Sequence, residues 1–394
     1  MNSSKRKFAI QGGQAVFPKR IRSSQSNIPK QEDVEKAFRN IFSRRYYTNQ
    51  GPLTEQLEER LCELFGVKHA ICMTNETIAM IIAAKALNLK NKVICSGYAF
   101  VGVAQSLNWA GIEPVFCDIN PEDYQLSLTN LESIIDSSIS GIFASHLWGY
   151  PCSPVELQAI ADAHNIKLYF DASHAFGCTY ENKSIAQYGE LSVFSFDTTS
   201  ILNAAEGGCV TTNCDKLAAR LRNIRSSYGA GTPVAIPLTG NGRMSEAQAA
   251  LALLSLDNYH NNIQHNKILF NTYRERLSNI PGLKVLIPNK ETQINYSYLV
   301  LNITKYEFGM SRDQLMSLLK AENIDCNRQP SCGLNKIIPY INHTSHDTNT
   351  LAVTEELSSK TLHLPIGAQI NIKDAALVCE VIYDAHTRSD ELRQ

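Results

Sequence analysis

No apolar run in this sequence approaches the roughly 18 residues that a helix needs to cross a bilayer. No C-x-x-C pair occurs among the eleven cysteines either. The first absence argues against a membrane partner, and the second against a zinc ribbon or a redox dithiol, so no metal site is expected. Charge of one sign is also lacking: Lys and Arg number 37 against 38 Asp and Glu, a formal charge of −1. Such a chain has no global field to draw in nucleic acid or an anionic membrane surface. Met1 to Arg22 is basic but carries no apolar core of a signal peptide. Its Lys5-Arg6-Lys7 and Lys19-Arg20-Ile21-Arg22 clusters read as a solvated arm. Cys72, Cys95 and Cys117 lie inside apolar runs, the pattern of buried free thiols in a reducing cytoplasm. Internal repeats and low-complexity tracts are absent.

What remains is the composition of a soluble globular protein. With 394 residues, 44% apolar and 19% charged, the chain is long enough for two or three domains. Strand-length apolar runs alternate with helical spacing: His69–Met73, Lys92–Cys95, Pro114–Asp118, Gly141–Ala144, Lys167–Asp171, Val193–Phe196 and Gly208–Thr212. Helices are expected at 29–42, 53–65, 77–89, 99–110, 154–164 and 215–227, and from Ser245 towards Phe270. This alternation predicts an α/β fold with a mostly parallel seven-stranded sheet covered by helices on both faces. From Gly282 the pattern changes to a strand at 298–303 and helices at 311–322 and 372–385, a smaller C-terminal α/β domain. The division read from the chain is an arm over 1–30, a large domain over 31–260 and a small domain over 261–394. Ligands of such sheets bind beyond the carboxyl ends of the strands, where Asp118, Asp171 and Ser195 fall.

Two stretches carry the chemistry. Asp171-Ala172-Ser173-His174-Ala175-Phe176-Gly177 closes a strand, and Ser195-Phe196-Asp197-Thr198-Thr199-Ser200 follows, with Glu206-Gly207-Gly208 after it. Together they resemble the pyridoxal-phosphate (PLP) site of the StrS/DegT-type sugar-nucleotide aminotransferases, a branch of the fold type I PLP enzymes. In that family D-A-x-[HQ]-A-x-G precedes S-F-[HD]-x-[ST]-K and E-G-G. The likeness covers nearly the whole chain, from Gln11-Gly12-Gly13 and Thr48-Asn49-Gln50-Gly51-Pro52 through His146-Leu147-Trp148-Gly149 and Asn241-Gly242-Arg243-Met244 to Leu364-Pro365. It implies that Asp171 pairs with the pyridinium nitrogen, that His174 lies against the ring and that Phe100 stacks on its face. It further implies that Thr77, the amides opening its helix and Ser195 hold the phosphate, and that Asn241 reaches it from a second subunit.

The departures are as informative as the matches. The family's lysine, which holds the cofactor as a Schiff base, is here Ser200. A serine hydroxyl forms no such link, and without an activating partner it is no base near pH 7. A related branch that dehydrates a keto-deoxysugar puts histidine there, and serine is not its equivalent. Glu76 stands where relatives carry Gly or Ala, and its carboxylate would repel the cofactor phosphate or fill its cradle. Ala99, Gly102, Val103 and Ser331 also depart from the family's usual residues, as does Asn335, where relatives often place a histidine that faces the substrate.

Three readings follow. The first is an enzyme of deoxysugar or secondary-metabolite biosynthesis with altered chemistry. It would use PLP or its amine form (PMP) bound non-covalently, or no cofactor, with His174, Asp171, Glu76 and Asp197 as acid–base candidates and Ser200 as nucleophile or donor. The second is a catalytically silent subunit that lends Asn241 and Arg243 to an active paralogue. The third is an ordinary aminotransferase whose lysine comes from elsewhere, with Lys183 and Lys216 the nearest in sequence. In each, the partners are a small-molecule substrate of the nucleotide-sugar kind and a second subunit, in a homodimer or a heterodimer.

Overall fold

A computed structural model describes residues 6–23, 25–226, 231–328, 330–342 and 351–392. Lys5 of the basic start and Ser227, the expected end of the helix from Asp215, lie outside them. The central sheet has seven strands: β1 (His69–Met73), β2 (Lys92–Ser96), β3 (Glu113–Cys117), β4 (Ile139–Ser145), β5 (Lys167–Asp171), β6 (Ser192–Ser195) and β7 (Gly208–Thr212). Their order is β1-β7-β6-β5-β4-β2-β3, and β7 alone runs against its neighbours. The expected strands match these within a residue or two, because strands buried on both faces leave near-continuous apolar runs. Cys72, Cys95 and Cys117 are buried and free, as the sequence suggested.

Helices cover both faces. One face buries Leu57, Leu61, Phe65, Phe194 and Phe196, and the other Ile71, Met80, Val93, Val103 and Leu221. The carboxyl ends of β1, β5 and β6 share one edge of the sheet. Immediately after β1, Asn75 caps the helix Glu76–Ala86 by accepting a hydrogen bond from the Ile78 amide at 2.9 Å.

The C-terminal sheet consists of β8 (Leu283–Val285), β9 (Leu299–Ile303) and β10 (Thr361–Leu364), all antiparallel. The helix Glu246–Leu277 links the two cores. Ala249, Leu253 and Leu256 pack in the large core, and Leu269, Phe270 and Tyr273 pack beside β9. The proposed division at 260/261 therefore falls inside one continuous helix.

The N-terminal stretch departs from the expected solvated arm. Phe8 and Phe17 are buried with Leu299 and Ile324, and Arg6 pairs with the buried Glu322 at 2.9 Å. Glu322 also accepts the Ala9 and Val16 amides, each at 2.8 Å. Two aromatic residues among the basic ones supply the apolar area that holds this stretch down. Lys19, Arg20 and Arg22 do remain exposed.

Candidate active site

Asp171, the last residue of β5, is almost fully buried. Its Oδ1 accepts from the Ser173 amide at 3.1 Å and from the Ser173 hydroxyl at 2.5 Å. The same hydroxyl lies 2.6 Å from Oε1 of Glu76, which opens its helix from across the site. One hydroxyl hydrogen can serve only one of these carboxyls at a time, so the second contact needs a proton on a carboxyl. Glu76 is the one that carries it. Burial first, then the Asp171 charge, push its pKa up to about 8, against the opposing pull of hydrogen bonds from Ser173 and Ser195. At neutral pH the trio is a carboxylic acid, a hydroxyl and a carboxylate in series.

His174 borders this trio. Its Nδ1 accepts the Trp148 amide at 3.1 Å, which leaves the proton of the neutral ring on Nε2. Burial lowers its pKa and outweighs the raising effect of Asp171 and Asp197, so the ring is held towards neutrality. Trp148 reaches it from a left-handed conformation, φ 58°. A bulky residue so placed is held by its surroundings, here a fully buried indole packed against Tyr98 and Tyr124. Tyr298 lies over His174 with ring centroids 4.7 Å apart, its phenol kept neutral by burial and by the nearby carboxyls of Asp197, Glu76 and Asp171.

Ser195 ends β6 fully buried, with its hydroxyl accepting the Asp197 amide at 3.4 Å and acting to lower the pKa of Glu76. The Glu206-Gly207-Gly208 turn has a steric cause at its last residue. A Cβ on Gly208 would sit 3.0 Å from the carbonyl of Asn75 and from the Glu76 nitrogen, so a side chain there would push β7 away from the helix start. Thr77, in the first turn of that helix, is exposed.

Other expected site residues take different places. Asp197 is a loop cap: its Oδ1 accepts the Thr199 and Ser200 amides, both at 2.8 Å, and both hydroxyls at 3.0 Å. The Ser200 hydroxyl shares that one oxygen with three other donors, which is a turn cap and not a nucleophile–base pair. Phe100 is half exposed at the start of the helix Val101–Trp109. It lines a cleft of about 170 Å³ with Ala99, Leu147, His174 and Ser331. Asn335 turns to Glu355 at 3.4 Å. Asn241 is exposed and accepts from Arg243 at 3.0 Å, on the outside of this chain. Lys183 and Lys216 are exposed as well. Ser173, which bridges the two carboxyls, was passed over in the sequence because it fills the variable position of D-A-x-[HQ]. Tyr298 gave no signal at all.

Residues 29–383 match the DegT/DnrJ/EryC1/StrS aminotransferase family. The chain belongs to that family. Among its relatives, the dTDP-4-amino-4,6-dideoxy-D-glucose transaminase of Shigella dysenteriae is 32% identical over 349 residues, 88% of this chain and 94% of that one. The Escherichia coli enzyme of the same name is 31% identical over 90% of this chain and 95% of its own. The solved structure of DesI in the presence of its TDP-sugar product superposes with a TM-score of 0.93 at 33% identity, covering 98% of both chains. Family membership and the mostly parallel α/β fold thus agree with the sequence reading.

The family implies PLP, and its fit to this site can be tested. The ring nitrogen would need Asp171 and the phosphate would need Ser195 and the helix start. Glu76 reaches across that interval, onto Ser173 beside Asp171 at one end and near Ser195 at the other. Its carboxyl is bonded beside the residue that would meet the ring nitrogen while its backbone opens the helix that would meet the phosphate, and Ser200 offers no amine. As arranged, these side chains do not fit the cofactor.

Proposed function

We propose that this member of the sugar-aminotransferase family is an enzyme acting on a nucleotide-linked deoxysugar without a covalent lysine–cofactor link. The observation that carries the reading is the Ser173 hydroxyl held at 2.6 Å from Glu76 and 2.5 Å from Asp171. A neutral carboxyl at about pKa 8 beside an ionised one is an acid–base pair tuned for work near neutral pH. Structural capping alone does not call for such a pair: Asp197 caps its loop without it. The cleft lined by His174 and Phe100 supports a substrate site on this side of the pair. The relatives named for dTDP-4-amino-4,6-dideoxy-D-glucose supply the substrate class, a dTDP-linked 6-deoxyhexose.

A second reading is favoured by one specific feature. Asn241 and Arg243 bond each other on the outer surface, where they can serve a neighbouring subunit, as a silent partner of an active paralogue would need. The two readings share the absent lysine link and differ in what a purified homogeneous protein does.

The test combines intact-chain mass spectrometry after borohydride with calorimetric titration of a dTDP-linked 4-keto-6-deoxyhexose. The expected result is an unchanged mass with PLP present, together with saturable binding of the nucleotide sugar and its turnover by the pure chain. Binding without turnover supports the silent subunit instead. A fixed mass increase on a lysine overturns both.

A further inference from the structure

We infer that Glu76 is a built-in occupant of the cofactor seat, so that the chain takes neither PLP nor PMP until this side chain is cut back. The inference rests on the reading of the site given above and goes past it, from the loss of the covalent link to the loss of the cofactor itself. The geometry makes the case in three steps. The helix start that would cradle a phosphate is also the attachment point of the Glu76 side chain. That side chain runs inward and is held by the Ser173 hydroxyl at 2.6 Å. Ser173 is itself tied to Oδ1 of Asp171 by its amide and its hydroxyl, so one oxygen of the partner that would meet the ring nitrogen is already engaged.

Gly208 closes the underside of this arrangement. With a Cβ there meeting Asn75 and Glu76 backbone at 3.0 Å, the helix start is packed directly on β7 and cannot sink to make room. A phosphate ester would have to displace the carboxyl, break its bond to Ser173 and accept a like charge whenever Glu76 is ionised. The lost lysine and the filled seat are two separate changes with one outcome. Each alone would leave a site half usable, since a chain with Ser200 but no Glu76 would still hold the free cofactor.

The experiment is calorimetric titration of the full chain with PMP, chosen because it has no aldehyde to react with surface lysines. Wild type should show no saturable binding at millimolar PMP. Glu76→Gly and Glu76→Ala should bind it at least about tenfold more tightly, because the overlap with one side chain held in the seat is relieved. Glu76→Ala serves as the second variant in case glycine frays the helix. Glu76→Gln keeps the size and removes the charge, and it should stay closed. Adding Ser200→Lys to Glu76→Gly should then give a borohydride-fixed PLP adduct, while Ser200→Lys alone should not.

Tight PMP binding by wild type overturns the inference and leaves the proposed function standing, since that reading is tested by a fixed adduct and by turnover of the nucleotide sugar, neither of which PMP binding measures. Binding restored by Glu76→Gln also overturns it, because charge and not occupancy would then have kept the cofactor out. Failure of both truncations to gain binding overturns it as well.

Discussion

Asp118 and Asp171 stand at the carboxyl ends of two strands of the same sheet, both nearly buried, and they do opposite things. Asp118 spends itself on backbone. Its Oδ2 accepts the Val353 amide at 3.0 Å, and its Oδ1 accepts the Ile119 amide at 2.9 Å and the Thr354 amide and hydroxyl at 2.9 and 2.7 Å. It fastens the start of the helix Ala352–Lys360 to the large domain, where its negative charge also suits the helix dipole. Among the described residues, the Asp171 carboxylate accepts only from Ser173, and through it faces a second carboxyl. A saturated carboxylate is a clasp, whereas one that shares a hydroxyl with a second acid has a path along which to exchange a proton with it.

The largest expected effect breaks the clasp. Asp118→Ala should lower the free energy of unfolding by about 3 kcal/mol, since several charge-assisted bonds and buried helix-start amides lose their acceptor together. Urea unfolding midpoints at constant slope measure it. A loss below about 1 kcal/mol would place Asp118 among ordinary turn residues. The next effect belongs to the other carboxyl pair and depends on pH. Glu76 is raised from an unfolded value of 4.5 to about 8, so above pH 4.5 the folded chain keeps a proton that the unfolded chain releases. Stability therefore falls as pH rises from about 4.5 to 8 and stays low above that. Glu76→Gln removes this dependence. The variant should gain about 1–3 kcal/mol on wild type at pH 8.5, and far less at pH 5. Thermal unfolding of both proteins across that window checks the sign.

This contrast also marks what the sequence could reveal. The seven strands were legible because each is a short apolar run buried on both faces, a signal that depends only on local composition. Ser200, at the place where the resemblance leads one to expect lysine, was equally plain, being one residue in a spaced motif. Glu76 was suspect from its place before Thr77, but its target was hidden, since Ser173 lies 97 residues away in the chain. The roles of Asp118 and Asp197 were hidden for a related reason: a strand-end or loop Asp looks the same whether it caps or reacts, and only its donors distinguish the two. The N-terminal stretch misled in the other direction. Its basic residues dominate the composition, while Phe8 and Phe17 decide where it goes.

Asp171→Asn sharpens the comparison from within the pair. The largest influence on Glu76 is burial, which the substitution leaves alone, and the second is the Asp171 charge, which it removes. The midpoint of the Glu76 titration in the folded chain, which sets the upper end of the stability loss, should therefore move down by roughly one unit, worth about 1.4 kcal/mol, and stay above the ordinary carboxyl range. An unmoved midpoint would mean that the two carboxyls do not share a proton.

The smallest effect tests whether Asp197 sides with Asp118 or with Asp171. Its Oδ1 bonds are all to the Thr199–Ser200 turn, and that turn is largely exposed, so water can replace what is lost. Asp197→Ala should cost only about 0.5–1 kcal/mol by urea unfolding, the worth of an exposed cap. It should also leave the midpoint set by Glu76 nearly in place, because Asp197 is the last-ranked influence on that carboxyl. A shift as large as that from Asp171→Asn would move Asp197 into the reactive group and make the acid–base site a trio of carboxyls. A small shift keeps it as a clasp, and then Glu76, Ser173 and Asp171 alone carry the proton.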